Sequence, residues 1–133
     1  MKIKTSELSG IALDWAVAKA EGLLDPQEFF GKMVPSVVLD MEYWSNGDPM
    51  VRLNPCPDVY YRAEYDPSTE WKHGGPIIEE EKIEVFIRDE RWFAYSSRST
   101  PEDFPGDTPL IAAMRCYVAS KLGGEVDVPE ELQ

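Results

Sequence analysis

The sequence predicts a single α+β domain in which two main helices pack on an antiparallel β-sheet, an α/β sandwich. Helical periodicity is concentrated in segments 6–22 and 108–122, near the ends of the 133-residue chain. Between them, apolar and aromatic runs rich in β-branched residues alternate with turn signals. This order is typical of antiparallel strands with helices segregated to their faces. With 43% apolar residues, the chain is large enough for one core, so we treat residues 1–133 as one domain.

The first predicted helix runs from Ser6 to Gly22. Thr5 or Ser6 is expected to cap its start, and Gly22 suits the left-handed residue that ends a helix. Trp15 is interpreted as a core anchor and not as an exposed stacking platform. The residues at the spacing of one helical face are Leu8, Ile11, Trp15 and Ala18.

Residues 23–64 form a variable region of strands and loops in our interpretation. They lack a helical period and contain five prolines. The runs 36–44 and 58–62 predict strands. Asn46-Gly47 predicts a hairpin turn before the apolar run 50–53, because Asn-Gly tolerates positive φ.

The segment Tyr65–Glu79 is the main candidate for a functional surface. Residues 66–67 predict a turn, and residues 68–69 predict the start of a short helical turn. Trp71 follows Ser68 by three residues, so the two can share one side of such a turn. We expect a hinge at Gly74-Gly75-Pro76, where the backbone bends or approaches another group closely.

The rest of the chain predicts a hairpin and a second helix. The apolar runs 83–88 and 92–96 flank the short polar connection 89–91, which favours an antiparallel pair. Residues 108–122 then predict a helix with Thr108 or Asp107 as its cap and Pro109 at its first position. Gly123-Gly124 is expected to end it.

Charge excludes some classes of function. The formal net charge is −12, and residues 64–133 carry 16 acidic against 7 basic side chains. Such a field repels a phosphate backbone, so we expect no direct binding to nucleic acid. We expect no membrane span either, since no apolar run approaches about 18 residues. Without a signal-peptide pattern the chain is expected in the cytoplasm, with Cys56 and Cys116 reduced.

The chemistry-bearing residues predict no catalytic or metal site and no cofactor. His73 is the only histidine, and neither cysteine stands in a nucleophile motif. There is no phosphate-binding glycine loop with its lysine, and one histidine with two distant cysteines does not suit zinc. We therefore lean towards a protein without catalysis. A hydrolase that uses carboxylates alone stays open, because it leaves little trace in a sequence.

Three segments together resemble a known family. They are Met1–Leu8 running into Leu13–Gly22, Tyr65–Trp71 with Gly74–Glu79, and Thr108–Gly123. The chain is similar in them to the NinX-like proteins of tailed phages and prophages, a family of unknown function. The resemblance implies a phage accessory protein made in the host bacterial cytoplasm, and it brings no catalytic residues with it. Lys72-His73 departs from the family pattern, which argues against a shared catalytic role for the histidine.

These observations lead to one functional hypothesis and two alternatives. The hypothesis is a non-catalytic protein that binds a small nucleotide-type ligand, in counter-defence against the bacterial host. The alternatives are an acidic inhibitor that covers a basic host protein, like a nucleic-acid mimic, and a hydrolase of a nucleotide signal. A homo-oligomer is also left open. The candidate ligand-binding residues are Tyr65, Ser68, Trp71, His73, Gly74, Gly75, Arg98 and Arg115.

Overall fold

Helix α3 (Pro109–Leu122) lies at the centre of the fold. The computed structural model describes residues 2–29, 31–41, 44–54, 63–97 and 102–133. Seven side chains of α3 are buried. Its start agrees with the sequence. The Thr108 Oγ1 accepts a hydrogen bond from the Ile111 N–H at 3.1 Å, and Pro109 occupies the first helical position. Gly123, with φ of 89°, ends it.

In the described residues, three helices and several short strands surround one hydrophobic core, which confirms the α+β class. The other helices are α1 (Gly10–Ala20) and α2 (Trp71–Glu81). Single 3-10 turns stand at Thr5–Glu7 and Glu130–Leu132. The strands are β1 (Lys2–Lys4), β2 (Pro26–Phe29), β3 (Lys32–Pro35), β4 (Val37–Asp40), β5 (Met50–Leu53), β6 (Ala63–Glu64), β7 (Glu84–Arg88), β8 (Arg91–Tyr95), β9 (Phe104–Gly106) and β10 (Glu125–Asp127).

The described strands pair antiparallel, as expected, but in four small sheets and not in one. The orders are β1-β10, β2-β3, β4-β5-β6 and β7-β8-β9. Helix α3 packs between α1 and the β7-β8-β9 sheet. Gly106 of β9 comes so close to α3 that a Cβ there would lie 2.4 Å from the Ala112 nitrogen. The hairpin predicted at 83–88 and 92–96 is confirmed with only small shifts of its boundaries.

The first helix is shorter than predicted. Gly10 adopts a φ of 55°, which separates the 3-10 turn at Thr5–Glu7 from α1. The proposed cap Thr5 is instead buried, and its hydroxyl donates to the Gly123 carbonyl at 2.6 Å. Gly22 does adopt positive φ, two residues after the helix ends. Trp15 is half-buried against the core, as an anchor would be.

Region 23–64 contains strands in the parts that the structure describes. The hairpin of β4 and β5 pairs Asp40 with Met50, and Gly47 has the positive φ that the Asn-Gly turn predicts. The predicted strand 58–62 lies outside the described residues, as do Cys56 and the candidate ligand residue Arg98.

The bend predicted at Gly74-Gly75-Pro76 is wrong, whereas the close approach predicted there as the alternative is confirmed at Gly74. All three residues lie inside α2, and neither glycine has a positive φ. Pro76 is the sixth residue of the helix, so it removes one intrahelical donor near the start without ending the helix. At Gly74 the helix backbone comes very close to its neighbours, because an added Cβ would lie 2.4 Å from the Pro67 carbonyl oxygen and 2.7 Å from Leu110 Cδ2.

Candidate functional site

The turn that leads into α2 is fixed to α1 by a buried carboxylate. The N–H groups of Thr69 and Glu70 donate to the Asp66 carbonyl and shape the turn. The Ser68 N–H donates to Asp14 Oδ1 of α1 at 2.9 Å. Asp14 is only 7% exposed and Ser68 only 2%. This hydrogen bond therefore sets where α2 begins relative to α1.

Asp14 is electrostatically strained in its ionised form. The pKa of its carboxyl is raised from 3.8 to about 6, mainly by burial and to a smaller extent by the neighbouring Asp66 and Glu64 carboxylates. The Ser68 N–H and hydroxyl act in the opposite direction. No described group lies within hydrogen-bonding geometry of Ser68 Oγ, so we assign the main stabilisation to the backbone N–H.

His73 is paired with the same turn. Its Nδ1 lies 2.8 Å from Asp66 Oδ1 and 3.3 Å from the Asp66 backbone nitrogen. Because a carboxylate oxygen can only accept, we assign the proton of the shorter contact to Nδ1. The ring also packs against Tyr65, with 5.2 Å between the centroids. Tyr65 is buried, and burial raises the pKa of its hydroxyl. The arrangement orients the imidazole and ties residues 65, 66 and 73 into one structural unit.

A groove opens on the other side of the turn, where α2 and α3 both begin. It has a volume of about 210 Å³. The Trp71 side chain lines it and is 56% exposed. Gly75 packs under this ring, because its Cβ position would lie 3.7 Å from Trp71 Cε3. The lining residues are Ser68, Thr69, Trp71, Thr108, Pro109, Leu110 and Ile111.

The structure brings some of the candidate residues together and separates others. Ser68 and Trp71 line the groove, as their spacing predicts, while Gly74 and Gly75 stand behind it in α2. Tyr65 and His73 belong to the adjoining Asp66 cluster. These placements do not establish binding, which stays a prediction for each residue.

Arg115 does not line the groove. Its Nε donates to the Leu8 carbonyl at 2.7 Å and its Nη1 to the Pro105 carbonyl at 2.8 Å. Burial lowers the pKa of the guanidinium, while Asp107 raises it. The residue thus joins α3 to the segment before α1 and to β9.

Sequence reasoning missed two parts of this region. Asp14 could have been found, because it is the only acidic residue within α1, where its neighbours in sequence are apolar. The groove wall formed by residues 108–111 had no such signal, since a helix cap and an apolar first turn are ordinary features of any helix. Only the packing of α2 on α3, through Gly74 and Leu110, places them beside Trp71.

Neither a metal site nor a membrane span is found in the described parts of the chain. Among these residues, no three or more His, Cys, Asp or Glu side chains are grouped so as to hold a metal ion. None of the described helices combines the length and apolarity that crossing a bilayer requires.

Fold and groove together define a small acidic α+β protein with an apolar groove between two helix starts. Comparison with known proteins identifies its family. Residues 4–121 match the family model described as Bacteriophage P22, NinX, and the chain belongs to that phage protein family. No curated protein matches the chain. The match covers α1, α2, all of α3 except its last residue, and the groove residues.

Proposed function

We propose that this phage protein acts in the host cytoplasm as a non-catalytic binder of a small nucleotide-type ligand. The observation that carries the proposal is the groove of about 210 Å³ in which the exposed Trp71 meets the starts of α2 and α3. Its size suits one ring with a short polar extension. Binding would serve counter-defence if the ligand were a nucleotide signal that the infected host produces.

The groove offers a surface for a flat ring. Trp71 presents a large aromatic face, and Pro109, Leu110 and Ile111 supply apolar contacts opposite. Stacking of a base on an aromatic side chain contributes about 1–3 kcal/mol. The hydroxyls of Thr69 and Thr108 at the rim can bond to polar groups of a base or ribose.

The two helix starts support an anionic group beside the ring. Neither α2 nor α3 has an acidic residue in its first turn, so the positive end of each helix dipole is left without a neutralising side chain there. The N–H groups of Trp71, Lys72 and Leu110 donate to no backbone carbonyl in the described ranges. Such groups are the usual partners of phosphate at helix starts. Glu70 and Asp107 stand just outside the helices and weaken this field, so we expect micromolar and not nanomolar affinity.

A thermal-shift screen with nucleotides, cyclic dinucleotides and ADP-ribose derivatives tests the proposal. A ligand at 100 times its dissociation constant stabilises the fold by about 2.7 kcal/mol. Trp71→Ala should abolish the shift. Trp44→Ala is the matched control, because Trp44 is 47% exposed but does not line the groove.

Three outcomes contradict the proposal. One is the absence of a shift with every compound, and another is an equal shift in Trp71→Ala and the parent protein. The third is release of product from a bound nucleotide, with loss of turnover in His73→Ala. That result would replace binding by hydrolysis and assign the Asp66–His73 pair a catalytic role.

A further inference from the structure

We propose that β7 is a dimerisation edge. Two copies of the chain would pair β7 with β7 antiparallel, about a two-fold axis at Phe86. This pairing would join two β7-β8-β9 sheets into one continuous six-stranded sheet. The proposal uses a different surface from the groove and does not depend on the proposed function.

The outer edge of β7 is open among the described residues. β7 stands at one end of the order β7-β8-β9, and no described strand pairs with its outer side. The other end of the sheet is protected, because β9 carries Pro105 at its centre, which has no N–H to donate. β7 has no proline and is five residues long.

The alternation along β7 of residues that bond to β8 and residues that face the open edge suits such a pairing. The two-residue turn Asp89-Glu90 has positive φ at both positions and is flanked by the pair Arg88 and Arg91. The residues flanking a two-residue hairpin turn form a hydrogen-bonded pair, and bonded and non-bonded pairs alternate from there. The N–H and C=O groups of Phe86 therefore face β8. Those of Val85 and Ile87 face the open edge.

An axis at Phe86 brings these free groups together. Val85 of one copy then stands opposite Ile87 of the other, and each such pair exchanges two hydrogen bonds. The two-fold axis repeats the pair, so that four backbone hydrogen bonds form. Phe86 meets Phe86 of the second copy as a non-bonded pair, in which side chains approach most closely.

The side chains of β7 are self-complementary in the same register. Glu84 stands opposite Arg88 of the second copy, and symmetry repeats this ion pair at the other end. Ile87, which is 60% exposed in the single chain, would be covered by Val85 of the second copy. Arg88 also bonds Asp103 at 2.7 Å within its own chain, and a guanidinium with five N–H donors can hold both carboxylates.

The expected dimer is weak. A five-residue strand edge buries less than the roughly 1,200–2,000 Å² of a standard interface, so dissociation in the micromolar range is expected. Each copy carries a net charge of −12, which opposes association at low salt. Near physiological ionic strength the Debye length of about 8 Å screens this long-range repulsion.

Sedimentation velocity at physiological salt, from low to high micromolar protein, is the test. The parent chain should change from monomer to dimer over this range. Glu84→Arg and Arg88→Glu should each weaken dimerisation at least about tenfold, because like charges then face each other. Mixing the two variants should restore a heterodimer, since every opposed pair across the axis is again of opposite charge.

Glu131→Arg is the control for Glu84→Arg, because it makes the same change of net charge at an exposed position outside β7. Trp71→Ala, in the groove, should leave dimerisation unchanged. A parent chain that stays monomeric throughout would overturn the proposal. So would a mixture of Glu84→Arg and Arg88→Glu that does not associate, or equal weakening by Glu131→Arg. The mixing experiment also separates a lost interface from a misfolded variant.

Discussion

Replacing Gly74 or Gly75, two adjacent glycines of α2, by alanine should change the free energy of unfolding in opposite directions. At Gly74 an added Cβ would lie 2.4 Å from the Pro67 carbonyl oxygen and 2.7 Å from Leu110 Cδ2. Overpacking of this kind costs about 1–3 kcal/mol, and the oxygen belongs to backbone that cannot rotate away. Replacing a helical glycine by alanine gains about 0.5–1 kcal/mol. Gly74→Ala should therefore lower the free energy of unfolding by about 1–2 kcal/mol.

Gly75→Ala is the matched control. Its new Cβ would meet only Trp71 Cε3, at an ordinary contact distance of 3.7 Å. The helix propensity gain then stands alone, so the free energy of unfolding should rise by about 0.5–1 kcal/mol. Urea denaturation of both variants measures the difference, which we expect to be about 2 kcal/mol. Equal stabilities would show that Gly74 is not a point of close approach, and destabilisation by both would contradict a helix through residues 74–76.

Two further substitutions test local electrostatics and backbone strain. Asp14→Asn keeps an acceptor for the Ser68 N–H but removes the buried ionisable group. The pKa of Asp14 is raised to about 6 in the folded state, above its ordinary value of 3.8. Asp14 therefore contributes about 3 kcal/mol to the free energy of unfolding below pH 4, and this contribution is lost as the pH rises through 6. The free energy of unfolding, measured from pH 4 to 7.5, should fall less steeply with pH in Asp14→Asn than in the parent protein. An unchanged pH dependence would refute the assignment of this effect to Asp14. Glu90→Gly should stabilise the hairpin turn by about 0.5–1 kcal/mol in thermal unfolding, since Glu90 has a φ of 65°, and a lower melting temperature would contradict this.

The elements that the sequence predicted well are those whose signals are local. Helix α3 carries its cap Thr108, its first-turn proline and its terminal glycine within one segment, and all three act as expected. The β7–β8 hairpin follows from two apolar runs around a short polar turn. Periodicity, caps and turns depend on near neighbours in the chain, so no knowledge of the tertiary fold is needed.

The elements that failed depend on contacts distant in sequence. The local propensity of Gly74-Gly75-Pro76 favours a bend, yet all three residues lie within α2, where Gly74 packs closely on Leu110 and Pro67. Thr5 is a good local cap, yet its hydroxyl is drawn to Gly123 at the far end of the chain. In both cases a tertiary contact overrides the local preference. Ser68 and Trp71 do line one groove, as their local three-residue spacing predicts, and their role in binding stays a prediction.

The charges of α2 are placed against its dipole, and this bears on the groove. The helix has no acidic residue in its first turn and ends in Glu79, Glu80 and Glu81. Carboxylates stabilise a helix start and destabilise its end, each by about 0.3–1 kcal/mol. Lys121 offsets part of the cost by pairing with Glu81 at 3.3 Å. Local rules that are broken without a structural gain are expected where a protein binds something. At the start of α2, beside Trp71, the cap residue Glu70 offsets part of the dipole while the first turn itself carries no acidic residue, so this end of the helix stays partly positive.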